Sequence, residues 1–237
     1  AVRSSGRLFL LHNEDYLRRY MGQMVIVRAE PAAEPAFLSL CYPGMHSGSS
    51  SGFNEHGIAF GNDSLNFRPK ARGVPKNFIF RRLLECHTTA EVKKVLATGP
   101  LAVAYGIIFV SADEDRGGYI ERVDRQRVET EMEDTNRICH TNHVLSSEIT
   151  AKGERVTWSS RLRLTAVSHL LVKAGLKPSL SDLKKTLSSE DPYVLQVSPK
   201  NPFPTLASVV IDVSRRRMYV CDRAKKGDKF IEYRLSK

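Results

Sequence analysis

The sequence predicts an α+β fold built on antiparallel sheet, and three observations predict it. Strand signals open the chain, helical periodicity takes over in its middle, and strand signals return at its end. No regular strand–helix–strand alternation of a wound parallel sheet runs through it. Arg7-Leu8-Phe9-Leu10-Leu11, Met24-Val25-Ile26-Val27-Arg28 and Phe37-Leu38-Ser39-Leu40-Cys41 are apolar runs bounded by Gly, Asn, Asp or Pro, and read as consecutive antiparallel strands. Ser47 to Gly57 is rich in Gly and Ser and reads as a turn region, followed by the short apolar run Ile58-Ala59-Phe60. Phe78 to Leu84 then sets apolar residues among charges at helical spacing. Thr88-Thr89-Ala90-Glu91 has the form of a capping box opening a second helix, which Gly99-Pro100 stops. Strands resume at Ile107–Val110 and Tyr119–Val123. After a polar stretch to Arg137, a helix is expected over Ser160–Lys173, with Gly175 beyond its end, and another from about Ser181. Leu206–Val213, Met218–Cys221 and Phe230–Tyr233 return to strand.

The 237 residues, 41% hydrophobic and 26% charged, with mean hydropathy −0.30, fit one globular domain spanning 1–237. The longest apolar runs, Ala102–Val110 and Leu206–Ile211, are half or less of the roughly 18 residues a membrane helix needs. No signal peptide stands at residue 1, but a chain starting with Ala1 reads as a processed or truncated piece, so the compartment is unknown, the cytoplasm being preferred. The net charge of +10 lies wholly in the last 87 residues, whose densest clusters are Arg215-Arg216-Arg217 and Arg223-Ala224-Lys225-Lys226. A nucleic-acid site would interleave such charges with stacking aromatics. These flank a strand instead and read as a solvated edge rather than a polyanion site. Cys41, Cys86, Cys139 and Cys221 lack metal-site spacing and read as reduced thiols in a core.

Taken singly, the residues that could carry chemistry say little. His12-Asn13-Glu14-Asp15 ends a strand and could be a plain turn, and His140 and His143 lack a carboxylate at metal-motif spacing. No GxSxG elbow, P-loop or GxGxxG occurs, which argues against α/β-hydrolase, nucleotide and dinucleotide functions.

In order, the pieces say more. Gly6 to Tyr16, Gly52-Phe53-Asn54-Glu55-His56-Gly57-Ile58-Ala59, Arg82-Leu83-Leu84-Glu85, His140-Thr141-Asn142-His143, Ser159-Ser160-Arg161 and Thr205 to Asp212 follow one another over nearly the whole chain. This series resembles the acyl-CoA:6-aminopenicillanate acyltransferase family and, more distantly, the choloylglycine hydrolases. The resemblance implies an N-terminal nucleophile hydrolase: a four-layer αββα sandwich of antiparallel sheets whose nucleophile is exposed when a precursor cleaves itself. In that family a Cys becomes the first residue, and its own α-amine, with a pKa of about 8, takes the thiol proton. An amide is attacked to give a thioester, which water or a second amine resolves, with no cofactor and no metal. The implied partners are a small-molecule amide or acyl-thioester substrate and an N-terminal chain processed from the same precursor. The resemblance leaves room for a homo-oligomer and calls for neither nucleic acid nor membrane.

The departure from the pattern falls at the start. Ala1 is no nucleophile, the family's Cys-Thr/Ser start would lie a few residues before it, and none of the four cysteines sits at the nucleophile's place. By the same resemblance Asp15 holds the terminal amine and the nucleophile, although alone it reads as an Asx turn. Asn142 donates its side-chain amide to the oxyanion of the tetrahedral intermediate. The second oxyanion donor aligns with Asp63, whose carboxylate would repel that charge, and Asn62 takes the role by a shift of one residue. Arg161, after a Ser pair, anchors the site electrostatically or simply faces water from a first helical turn. His12, often Arg in the relatives, and His140 are assigned to substrate binding. The function expected is amide hydrolysis through a thioester. Amide synthesis from an acyl thioester, or an inactive relative that only binds, are the alternatives.

Overall fold

Where the chain turns back on itself at residues 5–6, two successive positive φ values are needed, and Ser5 (49°) and Gly6 (70°) supply them. That tight turn joins β1 (Val2–Ser4) to β2 (Arg7–Asp15). The computed structural model describes residues 1–68, 72–132, 136–190, 193–225 and 227–235. Strands β3 (Val25–Ala29), β4 (Phe37–Cys41), β5 (Ser51–Asn54) and β6 (Ile58–Ser64) follow, then helices α1 (Lys76–Leu83) and α2 (Thr89–Leu96). Next come β7 (Tyr105–Ser111), β8 (Arg116–Val123), β9 (Gln126–Glu131), α3 (Trp158–Lys173) and α4 (Leu180–Leu187). The chain closes with β10 (Thr205–Asp212), β11 (Arg217–Asp222) and β12 (Ile231–Arg234).

Two antiparallel sheets result. One has the order β1-β2-β10-β11-β12, the other β3 to β9 in chain order. Strand alternation gives each sheet two apolar faces, so each must be covered twice. Leu8, Leu10, Val209 and Ile211 of the first sheet meet Leu40, Phe53 and Val110 of the second in the middle layer. On the outer face of the first, Phe9 and Val210 pack under Leu171 of α3 and Leu183 of α4; on that of the second, Phe60 and Phe109 pack under Phe80 of α1 and Val92 of α2. Each such fully buried side chain contributes about 1.5–3 kcal/mol of hydrophobic stabilisation. The layers are therefore αββα, as the resemblance implied.

Four local expectations need correction. Of the first three strand runs the second and third, β3 and β4, pair antiparallel as expected, but the first does not join them: β2 pairs with β1 and β10 in the other sheet. Apolar alternation says which residues are buried, not which strand they pair with. The Gly/Ser stretch contains β5, whose small residues are required, because a Cβ on Gly52 would lie 2.9 Å from the Leu38 carbonyl oxygen. Part of the polar stretch is β9, a charged edge strand. At the start of α2, Thr88 does accept from the Glu91 amide, but the Glu91 carboxylate accepts from His87 N, so the box is not reciprocal.

The basic clusters are partly consumed within the fold. Arg216 bonds to Asp113, and Arg223, 5% exposed, bonds to Ser208 and Ser188, while Lys226 lies outside the described residues. Of the four free thiols only Cys139 is partly exposed. No helix among the described residues is long and apolar enough to cross a membrane.

Candidate active site

The C-terminal half of β2 divides its side chains between two layers. Even positions point toward the second sheet: His12 lies against Gly61 of β6, its Nε2 donates to Glu14 Oε2 (3.0 Å), and Tyr42 Oη donates to Glu14 Oε1 (2.5 Å). Odd positions point toward the helices. Asn13 Nδ2 donates to the carbonyls of Leu187 and Val194, and Asp15 meets Arg163 of α3 (3.4 Å) while accepting from Thr205 Oγ1 (2.6 Å).

Arg163 joins the two best sequence candidates. Its Nη2 donates to Asn142 Oδ1 (2.6 Å), so Asp15 and Asn142, distant in sequence, share one guanidinium. Asn142 Nδ2 gives one hydrogen to the Ser64 carbonyl (3.1 Å) and keeps a second for the cavity it lines. That cavity, of about 320 Å³, is bounded by His12, Glu14, Asp15, Asn62, Asp63 and Asn142, with Tyr16 and Tyr42 contributing an aromatic wall. Lys76 of α1 also lines it, donating to Ser64 Oγ (2.5 Å); burial lowers its pKa.

The charges at this site perturb one another. Burial pushes the Asp15 carboxyl up to about 6, against the opposing pull of Arg163 and Thr205. Burial alone would lower the His12 imidazole, but its bond to Glu14 and the surrounding carboxylates raise it. A second strand-lined recess adjoins the cavity through His12, Asn13, Asp63 and Arg163. It is walled on one side by the consecutive residues Leu10–Asn13 of β2 and on the other by Ile138–Thr141. β1 already occupies the same gap further along, since Arg3 N donates to Asn136 O and Ala1 N to Ile138 O, both at 2.7 Å.

Three of the sequence assignments change. Arg161 is exposed; the cation at the site is Arg163, half a turn round α3. Helical period could have found it, because Arg163 shares the face of the buried Ser160 and Ala166. Asn62 lines the cavity, but its Nδ2 is spent on the carbonyls of Ser49 (3.2 Å) and Ser50 (2.5 Å), leaving it no free donor. His140 has no exposed side-chain surface and lies between Asp63 and Glu121, so it cannot touch substrate. Asp15, Asn142 and His12 are brought together. Glu14, Tyr42 and Lys76 were not singled out from the sequence, since each reads locally as an ordinary strand or helix residue.

The family described as acyl-coenzyme A:6-aminopenicillanic acid acyl-transferase matches residues 2–226. Among solved structures the chain is similar to penicillin V acylase from Agrobacterium tumefaciens, with a TM-score of 0.61 and 13% identity, covering 94% of this chain and 81% of that one. It is also similar to a variant of conjugated bile acid hydrolase from Clostridium perfringens, with a TM-score of 0.63 and 12% identity, covering 100% and 96%. At such identities the likeness is one of fold. No curated protein sequence matches the chain.

Proposed function

Because the chain belongs to the acyl-coenzyme A:6-aminopenicillanic acid acyl-transferase family, we propose that it is the body of an N-terminal nucleophile amidohydrolase that cleaves a small N-acyl amine through a thioester. The observation that carries this reading is the recess between Leu10–Asn13 and Ile138–Thr141, which adjoins the cavity lined by Asp15, Asn142 and Arg163. Continued backwards, the β1–β2 register would set the second residue before Ala1 opposite His12 and the fifth opposite Asp15. A cysteine a few residues upstream in the reading frame would thus arrive at the cavity.

The chemistry follows from those neighbours. The thiol proton passes to the cysteine's own α-amine, which Asp15 holds by charge, and the sulfur attacks the substrate carbonyl. Asn142 donates to the oxyanion, a neutral donor already aligned by Arg163 and needing no reorganisation. The C–N bond then breaks, the leaving amine takes the proton, and water attacks the thioester to release the acid and restore the thiol. Hydrolysis is favoured over transfer because the cavity is lined by charged groups that hold water.

Intact-mass measurement and N-terminal sequencing of the protein expressed from its complete reading frame test the reading, together with release of free amine from a panel of N-acyl amides. A mature chain beginning with Cys a few residues before Ala1, inactive and uncut when that Cys is replaced by Ala, is the expected result. An uncut chain, or one starting without a thiol, leaves the fold a binding role only. Amide formed from an acyl thioester faster than hydrolysis would make the protein an acyltransferase.

A further inference from the structure

We propose that His140, clamped between Asp63 and Glu121, is a positioning residue that fixes the Asn142-bearing loop at the active site, and that removing the clamp frees that loop. The inference rests on the function just proposed. Asp63, Gly106 and Glu121 stand in register on three adjacent strands, β6, β7 and β8, and so project from one face of the sheet. The middle one has no side chain, and its place is taken by the imidazole: a Cβ on Gly106 would lie 2.3 Å from His140 Cε1 and 2.8 Å from each ring nitrogen. Laid there, the ring offers Nδ1 to Asp63 Oδ2 and Nε2 to Glu121 Oε1, both at 3.0 Å. Two carboxylates facing two ring nitrogens demand an N–H on each, so the bridge is complete only with a protonated imidazole.

Glu121 closes the loop from its other end as well. The same carboxylate accepts from Leu145 N (2.6 Å) and Ser146 N (3.0 Å). Residues 140 and 145–146 are thus tied to one buried group, with Asn142 on the segment between them. Burial would lower the His140 imidazole, but the two carboxylates push it up to about 9. The other groups that act on the bridge are His143 and Glu154 on the loop side, Tyr119 of β8, whose ring lies 5.5 Å away, and, toward Asp63, His12, Lys76, Arg163 and the Ala1 amine.

The test uses the self-processed enzyme and the variants His140→Gln, Gly106→Ala and Glu121→Gln, read by steady-state kinetics on an N-acyl amide and by amide hydrogen exchange. The first two are expected to lower kcat on the order of 100-fold, as a displaced donor does, with KM changed by less than about threefold. Exchange at Leu145 and Ser146 should rise at least about tenfold while β6 and β7 stay protected. In the wild type kcat should fall as His140 loses its proton near pH 9, and Glu121→Gln should move that limb to lower pH. Unchanged kcat and unchanged loop exchange in the folded Gly106→Ala and Glu121→Gln proteins overturn the proposal, even where His140→Gln fails to fold. If no N-acyl amide is cleaved, the functional reading falls, and loop exchange alone decides for or against the bridge.

Discussion

Asp15 should weaken the fold in the very state in which it serves the site. Its carboxyl moves from 3.8 to about 6 on folding, chiefly by burial. A raised carboxyl binds its proton better in the folded chain, so the stability it contributes is complete below about pH 4 and lost as pH rises through about 6. At about 1.4 kcal/mol per unit, the loss is about 3 kcal/mol. Asp15→Asn keeps the shape and the acceptor for Thr205 but has no charge to desolvate, and the attraction of Arg163 that it forgoes is already contained in the net shift. The variant should therefore be more stable than wild type by about 3 kcal/mol at pH 8 and about equal to it at pH 4, where the wild-type carboxyl is protonated, while losing activity. Urea unfolding at unit steps from pH 4 to 8 measures both curves. Titrations common to the two proteins, including those of Asp63 and Glu121, whose lowered values weaken the fold as pH falls, cancel in the difference. Two curves running parallel between pH 4 and 7 would refute the reasoning.

Three further outcomes are expected. Arg163→Met should reduce kcat/KM on the order of 100-fold by unpairing Asp15 and Asn142, and Arg161→Met by less than about threefold; equal effects would remove Arg163 from the site. Asn54 is fully buried, donating to the carbonyls of Leu84 (3.1 Å) and Cys86 (2.7 Å) and accepting from Ile58 N (3.1 Å), so Asn54→Ala should cost about 2–3 kcal/mol in denaturant unfolding, and a cost below about 0.5 would contradict it. Burial pushes the Cys86 thiol up to about 12, so among the four cysteines iodoacetamide at pH 8 should reach Cys139 first; mapping by mass that found Cys86 equally modified would oppose this.

The α+β class was legible in the sequence because its elements are written locally, whereas the order of the four layers came from the family resemblance. Phe9, Phe60 and Val210 sit in runs whose period reveals burial, and Thr88 and Gly175 mark helix ends by their own chemistry. Strand pairing was legible only in part: β3 and β4 pair as their order suggests, but β2 carries the same pattern and its place in the other sheet is decided by β10, far along the chain. The site divided along the same line. Asp15 and Asn142 sit in recognisable motifs, whereas the choice of Arg163 over Arg161 depends on which face α3 turns inward. Asn62 looked suitable by residue type alone, and only its spent hydrogens disqualify it.

The bond from Thr205 to Asp15 spans 190 residues and lies where β10 joins the edge of β2 in the sheet begun by β1 and β2. A ribosome delivers the first of these strands long before the last, and until β10 emerges β2 has an open edge and Asp15 has neither its hydroxyl partner nor its covered surface. The nascent chain thus carries β2 and Asp15 through much of synthesis without the finished site around them. The topology sets the order: the cavity cannot be complete before β10 has emerged, and under the proposed function any self-cleavage that depends on it waits for that strand.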